Sequence, residues 1–143
     1  LNTTKSVDYL LKRRVFFMFD SNSKQNFLSD TGAVYSIWAS KLLSEKPKPA
    51  HLTLQPVIQF DIKTFGEIGL TLNLHLRREF IWIFIVADLP RPILGADFLL
   101  YYNLLVDVRK QRLLDSVTSL DVKCMKCKKV TVSLLYCMAC SEF

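Results

Sequence analysis

The stretch Phe27-Leu28-Ser29-Asp30-Thr31-Gly32-Ala33 decides how this chain folds. Residues 25–28 read as a short strand that runs directly into Asp30-Thr31-Gly32. An acid at the end of an apolar strand is presented at a tight turn. Gly32 has no side chain, so the backbone can pass close to the carboxylate and turn its N–H toward it. Thr31 carries a hydroxyl that can tie this turn to a neighbouring one. Three residues recur by chance, and the apolar frame on both sides gives the triplet its weight.

The glycines limit what such a turn can do. There are four, Gly32, Gly66, Gly69 and Gly95, and only Gly32 follows an Asp-Thr or Asp-Ser pair. Hydrolysis of a peptide by paired acids needs two carboxylates facing one water. A chain with a single turn must take the second acid from another copy, and the simplest closed arrangement is a two-fold dimer with its axis between the two Asp30 side chains.

Outward from the turn, residues 14–19 are apolar and aromatic like a strand, and residues 20–24 are a turn cluster, so the two strands before Asp30 form a hairpin. Residues 33–38 read as a further strand, and residues 39–44 as one helical turn. Residues 45–49 hold two prolines and read as an open loop. Residues 70–76 alternate strictly, the cleanest strand signal in the chain. Residues 80–86 are continuously apolar, which predicts a strand covered on both faces. Asp88-Leu89-Pro90-Arg91-Pro92 breaks the sheet, residues 96–102 are the best helix candidate, and residues 104–108 and 112–115 form a closing hairpin. Many short strands and one helix predict an all-β, barrel-like domain over residues 10–117, with an N-terminal extension (1–9) and a cysteine-rich basic tail (118–143).

Composition agrees with a folded domain: of 143 residues, 50% are apolar and 12% aromatic. The net charge of +6 lies in short basic runs, such as Lys12-Arg13-Arg14 and Arg109-Lys110-Gln111-Arg112. A nucleic-acid surface is one reading; solvated strand ends are favoured, because no aromatic residues alternate with the basic ones. The longest apolar run is far short of the ~20 residues that span a bilayer, so no membrane partner is expected. The sequence starts at Leu1 and reads as a piece of a longer chain; no export signal is seen, and a cytoplasmic or intracellular setting is expected. His51 and His75 have no flanking motif that would make either a catalytic base.

All four cysteines lie in the tail, as Cys124-Met125-Lys126-Cys127 and Cys137-Met138-Ala139-Cys140. Paired thiolates at this spacing suit a tetrahedral zinc ion, so Cys124, Cys127, Cys137 and Cys140 are candidate metal ligands. The alternative is a tail with free thiols. No histidine follows His75, which sets this tail apart from nucleocapsid knuckles.

Over residues 14–116 the chain resembles the retropepsin-like aspartic proteases of gypsy-class retrotransposon polyproteins. Residues 27–33 look like the catalytic turn of that family. Leu70-Thr71-Leu72-Asn73-Leu74, Phe84-Ile85-Val86-Ala87-Asp88 and Pro92-Ile93-Leu94-Gly95-Ala96-Asp97-Phe98-Leu99 look like its later core strands and the start of its helix, in the same order and spacing. The resemblance implies a closed, barrel-like retropepsin (acid protease) lobe with one short C-terminal helix. It also implies an aspartic endopeptidase that cuts the polyprotein carrying it as a homodimer, without a cofactor. Asp30 would be catalytic, with Thr31, Gly32 and Ala33 supporting its turn and Ile93, Leu94 and Gly95 packed behind it. Ile58, Gln59 and Phe60 align with the tip of the hairpin flap that closes over substrate; the family's flap glycine is absent near Gln59. Ser29 stands where the family has an aliphatic residue, and a hydroxyl there needs a partner. Two other readings compete with the protease: an inactive domain of this shape that dimerises or binds peptides, and a zinc-dependent nucleic-acid module built on the tail.

Overall fold

The computed structural model describes residues 16–44 and 62–126. The flap candidates Ile58, Gln59 and Phe60, and the cysteines Cys127, Cys137 and Cys140, lie outside these residues.

Sequence pattern accounts for the first hairpin. β1 (Phe16–Asp20) and β2 (Gln25–Ser29) pair antiparallel, with Phe16 opposite Ser29 and Asp20 opposite Gln25. Asp20 is buried and closes the turn between them. Its Oδ1 accepts the N–H of Asn22 at 3.1 Å and of Asn73 at 2.7 Å, and its Oδ2 accepts that of Ser23 at 2.9 Å. One carboxylate thus satisfies three backbone donors and ties the hairpin to the distant residue 73.

The following elements are β3 (Ile37–Ala39), a 3-10 turn (Ser40–Leu42), β4 (Thr64–Leu72), β5 (Phe80–Ala87), β6 (Ile93–Leu94) and the helix α1 (Ala96–Tyr101). They precede β7 (Leu104–Asp107), β8 (Arg112–Asp115), β9 (Asp121–Lys123) and β10 (Met125–Lys126). Two sheets result, one of seven strands in the order β10-β1-β2-β6-β3-β5-β4 and one of three in the order β7-β8-β9. The all-β architecture with one short helix is as the sequence predicts. The strands are ordered in these two sheets among the described residues, in keeping with the barrel-like lobe expected.

Three expectations are corrected. Residues 80–86 do form a strand, but not one covered on both faces: Ile81 and Ile83 are each 63% exposed, while Phe80 and Phe84 point into the core. β5 pairs with the edge strand β4, and among the described residues no second layer covers its outer face. The alternation of residues 70–76 outlasts its strand. β4 ends at Leu72, and Leu74 and Leu76 continue into the core from a bent segment in which His75 and Arg77 have left-handed backbones (φ 62° and 59°). Residues 33–36 form a loop before β3. Pairing also runs beyond residue 117, since β9 pairs with β8 and β10 with β1.

The main core lies between the inner face of the large sheet, α1 and the small sheet. It joins Phe16, Phe27, Phe80, Phe84, Phe98 and Leu113 with their neighbours. The rings interlock at an angle: Phe80 meets Tyr102 edge-on at 4.9 Å, and Trp82 meets Phe98 at 5.7 Å and 89°. Such contacts add about 1 kcal/mol each beyond burial. A second, smaller cluster lies on another face of the sheet: Leu28, Ala33, Ile37, Ala87, Leu89 and Ile93, with Phe17 and Ile62 packed against it. No helix among the described residues is long and apolar enough to cross a membrane.

Candidate active site

β2 and β3 are consecutive in the chain but do not pair. β6 is inserted between them, with Ile93 opposite both Leu28 in β2 (parallel) and Ile37 in β3 (antiparallel). The connection from residue 30 to residue 36 must therefore arch over the end of β6. That arch carries Asp30, and its geometry is held from three sides.

Within the turn, Gly32 N–H donates to Asp30 Oδ1 at 2.9 Å, and Ala33 N–H donates to the Asp30 carbonyl at 3.1 Å. A Cβ at Gly32 would lie 3.3 Å from Oδ1, tighter than ordinary contact. From β6, Asp30 N–H donates to the Leu94 carbonyl at 3.0 Å, and Leu28 N–H to the Pro92 carbonyl at 2.9 Å. From the start of α1, Ala96 N–H reaches the Ala33 carbonyl at 2.7 Å, and Asp97 N–H the Val34 carbonyl at 3.1 Å. Gly95 lies directly beneath the arch. A Cβ there would fall 2.6 Å from the Tyr35 carbonyl oxygen and 2.8 Å from that of Ala33, so only glycine lets the two backbones approach this closely.

Ser36 and Asp97 add a polar lock that no local motif announces. Asp97 accepts the Ser36 hydroxyl at 2.6 Å, the Ser36 N–H at 3.0 Å and the Phe98 N–H at 2.7 Å; Ser36 Oγ accepts Gly95 N–H at 2.9 Å. Ser36 is fully buried, so its hydrogen bonds have little competition from water. The 61-residue separation of Ser36 and Asp97 hid this pair from a reading of local motifs. Asp97 is thereby committed to holding the arch.

Asp30 is only 8% exposed, whereas Thr31 beside it is open to solvent. Leu28 and Ala33, close to Asp30 in the chain, and Ile93, opposite Leu28, belong to the smaller cluster and form an apolar wall on this part of the fold. Ile93 and Leu94 line up with β2, and Gly95 with the arch. Ser29, one residue before the acid, faces the main core, and its Oγ has no hydrogen-bond partner among the described residues.

Cys124 sits apart from this site, between β9 and β10, and is buried. Its Sγ is 2.9 Å from Met18 Sδ, and its N–H donates to the Gln111 carbonyl at 2.9 Å. Burial pushes its thiol up to about 11, against a smaller opposing pull from Arg112. Zinc takes cysteine as thiolate, and this setting favours the neutral thiol. Among the described residues no group of three or more metal-ligating side chains comes together.

No protein-family profile matches the sequence, and no curated protein matches it. Solved structures do match. The retroviral protease-like domain of Ddi1 from Leishmania major superposes with a TM-score of 0.62 at 16% identity, covering 81% of this chain and 96% of that one. EIAV protease complexed with the inhibitor HBY-793 aligns with a TM-score of 0.46 at 24% identity, over 62% of this chain and 86% of that one. The inserted β6, the arch over it and the helix that follows belong to one architecture, and this chain has the fold of a retroviral protease-like domain.

Proposed function

We propose that the chain is an aspartic endopeptidase that works as a homodimer, with one Asp30 from each copy. The observation that carries this reading is the Asp30 turn itself. A nearly buried Asp30 accepts Gly32 N–H on its carboxylate and donates its backbone N–H to the Leu94 carbonyl, with a solvent-facing Thr31 beside it and Leu28 and Ala33 of the apolar cluster flanking the turn in the chain. A rigidly held acid of this kind supports a reading in which a second one meets it across a two-fold axis.

Two such carboxylates are too close for both to ionise, so they share a proton. The ionised member takes a proton from the water between them as that water attacks the scissile carbonyl. The protonated member donates to the carbonyl oxygen, and the acids then return a proton to the departing amine. Leu28, Ala33 and Ile93 would offer apolar subsites to the residues flanking the cut. A natural substrate consistent with the resemblance to retrotransposon proteases is the polyprotein that carries the domain.

A second reading is favoured by Ile58-Gln59-Phe60, which puts Gln59 where the family's flap has glycine: a protease-like domain that binds peptides without cutting them. One assay separates the two. Purified chain and Asp30→Asn are incubated with peptide substrates from acidic to neutral pH, with and without pepstatin. The protease reading predicts cleavage by wild type that pepstatin blocks and Asp30→Asn abolishes. Equal inertness of both proteins, with peptide binding retained, supports the second reading.

A further inference from the structure

We propose that Arg91 selects peptides carrying an acidic residue within about four positions of the scissile bond. The inference rests on the peptide-cleaving site described above and adds a charge preference to its apolar subsites.

Arg91 lies in Asp88-Leu89-Pro90-Arg91-Pro92, the segment between β5 and β6. Its guanidinium carbon lies 4.9 Å from the centre of the Phe17 ring, and Phe17 packs against the cluster formed by Leu28, Ala33 and Ile93. The cation therefore sits at the rim of the apolar wall beside Asp30. Its backbone is well anchored. Pro92 disfavours helical backbone at Arg91, and the Pro92 carbonyl accepts Leu28 N–H at 2.9 Å. Leu28 is two residues before Asp30, and Ile93 stands opposite it. The three residue steps along the chain from Arg91 to Leu94, whose carbonyl holds the Asp30 N–H, span at most about 10 Å at the rise of a strand. An extended peptide covers that span with three or four residues.

Among the described residues the charge of Arg91 has no acidic partner. The ion pairs among the described residues are Arg78 with Asp115 and Arg112 with Asp121. Asp88, in the same segment, does not pair with it, and the Arg91 side chain is exposed. The contact with Phe17 helps to hold the planar group in place, and among the described residues its N–H donors make no hydrogen bond. A fixed guanidinium with free donors next to an apolar pocket fits a carboxylate side chain whose neighbours are apolar.

The test uses ten-residue peptides that share a central leucine–phenylalanine bond. Glutamate or glutamine is placed at successive positions on either side. At low salt, wild type is expected to cleave the best-placed glutamate peptide about fivefold better in kcat/KM than its glutamine twin, with the ratio falling as salt is added. In Arg91→Gln the ratio should fall to near one. In Arg91→Glu a lysine peptide should be preferred over the glutamate one. Circular dichroism verifies that both variants fold. Cleavage by wild type with no charge preference at any position overturns this inference alone and leaves the protease reading standing. The same peptides, labelled and bound to Asp30→Asn, separate the two claims from the other side. Charge-dependent binding that Arg91→Gln removes supports the role of Arg91 even if no cleavage is seen. Binding that ignores charge, or no binding at any salt, overturns it.

Discussion

Replacing Arg78 with methionine should cost this fold about 3 kcal/mol at neutral pH, and less in acid. Arg78 Nε and Nη2 donate to the two Asp115 oxygens at 2.7 and 2.9 Å, and Nη2 also donates to the Tyr102 carbonyl at 2.8 Å. The guanidinium lies 4.8 Å from the centre of the Phe80 ring and 5.4 Å from that of Tyr102. Methionine restores much of that packing and removes the charge. The Asp115 side chain is wholly buried, so it would be left as an uncompensated carboxylate. Breaking a buried pair in this way typically costs about 3–5 kcal/mol, and the 26% exposure of Arg78 places this case at the lower end. The pH dependence follows. Burial pushes the Asp115 carboxyl up, but hydrogen bonds from Arg78, Val117 N–H and Thr118, with the Arg78 charge, outweigh it and hold the group below its usual range. In wild type this stabilisation is present above about pH 4 and is lost as pH falls through the lowered folded value. In Arg78→Met, burial acts with its main opponent gone, the carboxyl rises, and acid no longer destabilises through this group. The gap between the two proteins should therefore narrow on acidification. Urea unfolding at about pH 7 and about pH 3.5, at one fixed protein concentration, measures it. A loss under about 1 kcal/mol at neutral pH, or a gap that does not shrink in acid, would refute the reasoning.

Three further outcomes are expected. Ser29→Val should raise stability by roughly 1 kcal/mol in the same urea assay, because it removes a buried hydroxyl that has no partner among the described residues. Gly95→Ala should destabilise by about 2–3 kcal/mol and abolish peptide cleavage, since its Cβ would meet the Tyr35 carbonyl at 2.6 Å and force the arch off β6. Native Cys124 should react with iodoacetamide about a hundredfold more slowly than in urea at mildly alkaline pH, because its thiol is raised to about 11. Its contribution to stability should fall as pH rises from about 8.5 toward that value, as the unfolded thiol ionises first.

What the sequence made legible was local. The hairpin into Asp30, the helix from Ala96 and the closing hairpin at residues 104–115 all carry turn residues or periodicity that act over a few positions. The insertion of β6 between β2 and β3 has no such signature. It joins both Leu28 and Ile37 to Ile93, pairings set by packing across more than forty residues. The Ser36–Asp97 lock was hidden for the same reason. The exposed Ile81 and Ile83 show the opposite failure: a run of apolar residues reports hydrophobicity, and whether a second layer covers it depends on the strand's place in the sheet. Cys124 belonged visually to a Cys-x-x-Cys pair, yet the strands on either side of it fasten it into the core beside Met18.

The central claim is that each active site takes one Asp30 from each of two chains. Mixing wild type with Asp30→Asn in increasing proportion, after denaturing and refolding them together, tests it most directly. If one carboxylate from each copy is required, only wild-type pairs cleave. An equal mixture then retains about a quarter of the wild-type activity, and the titration follows the square of the wild-type fraction. Activity that falls only to about half and tracks that fraction linearly would mean that one chain suffices, and would contradict the account.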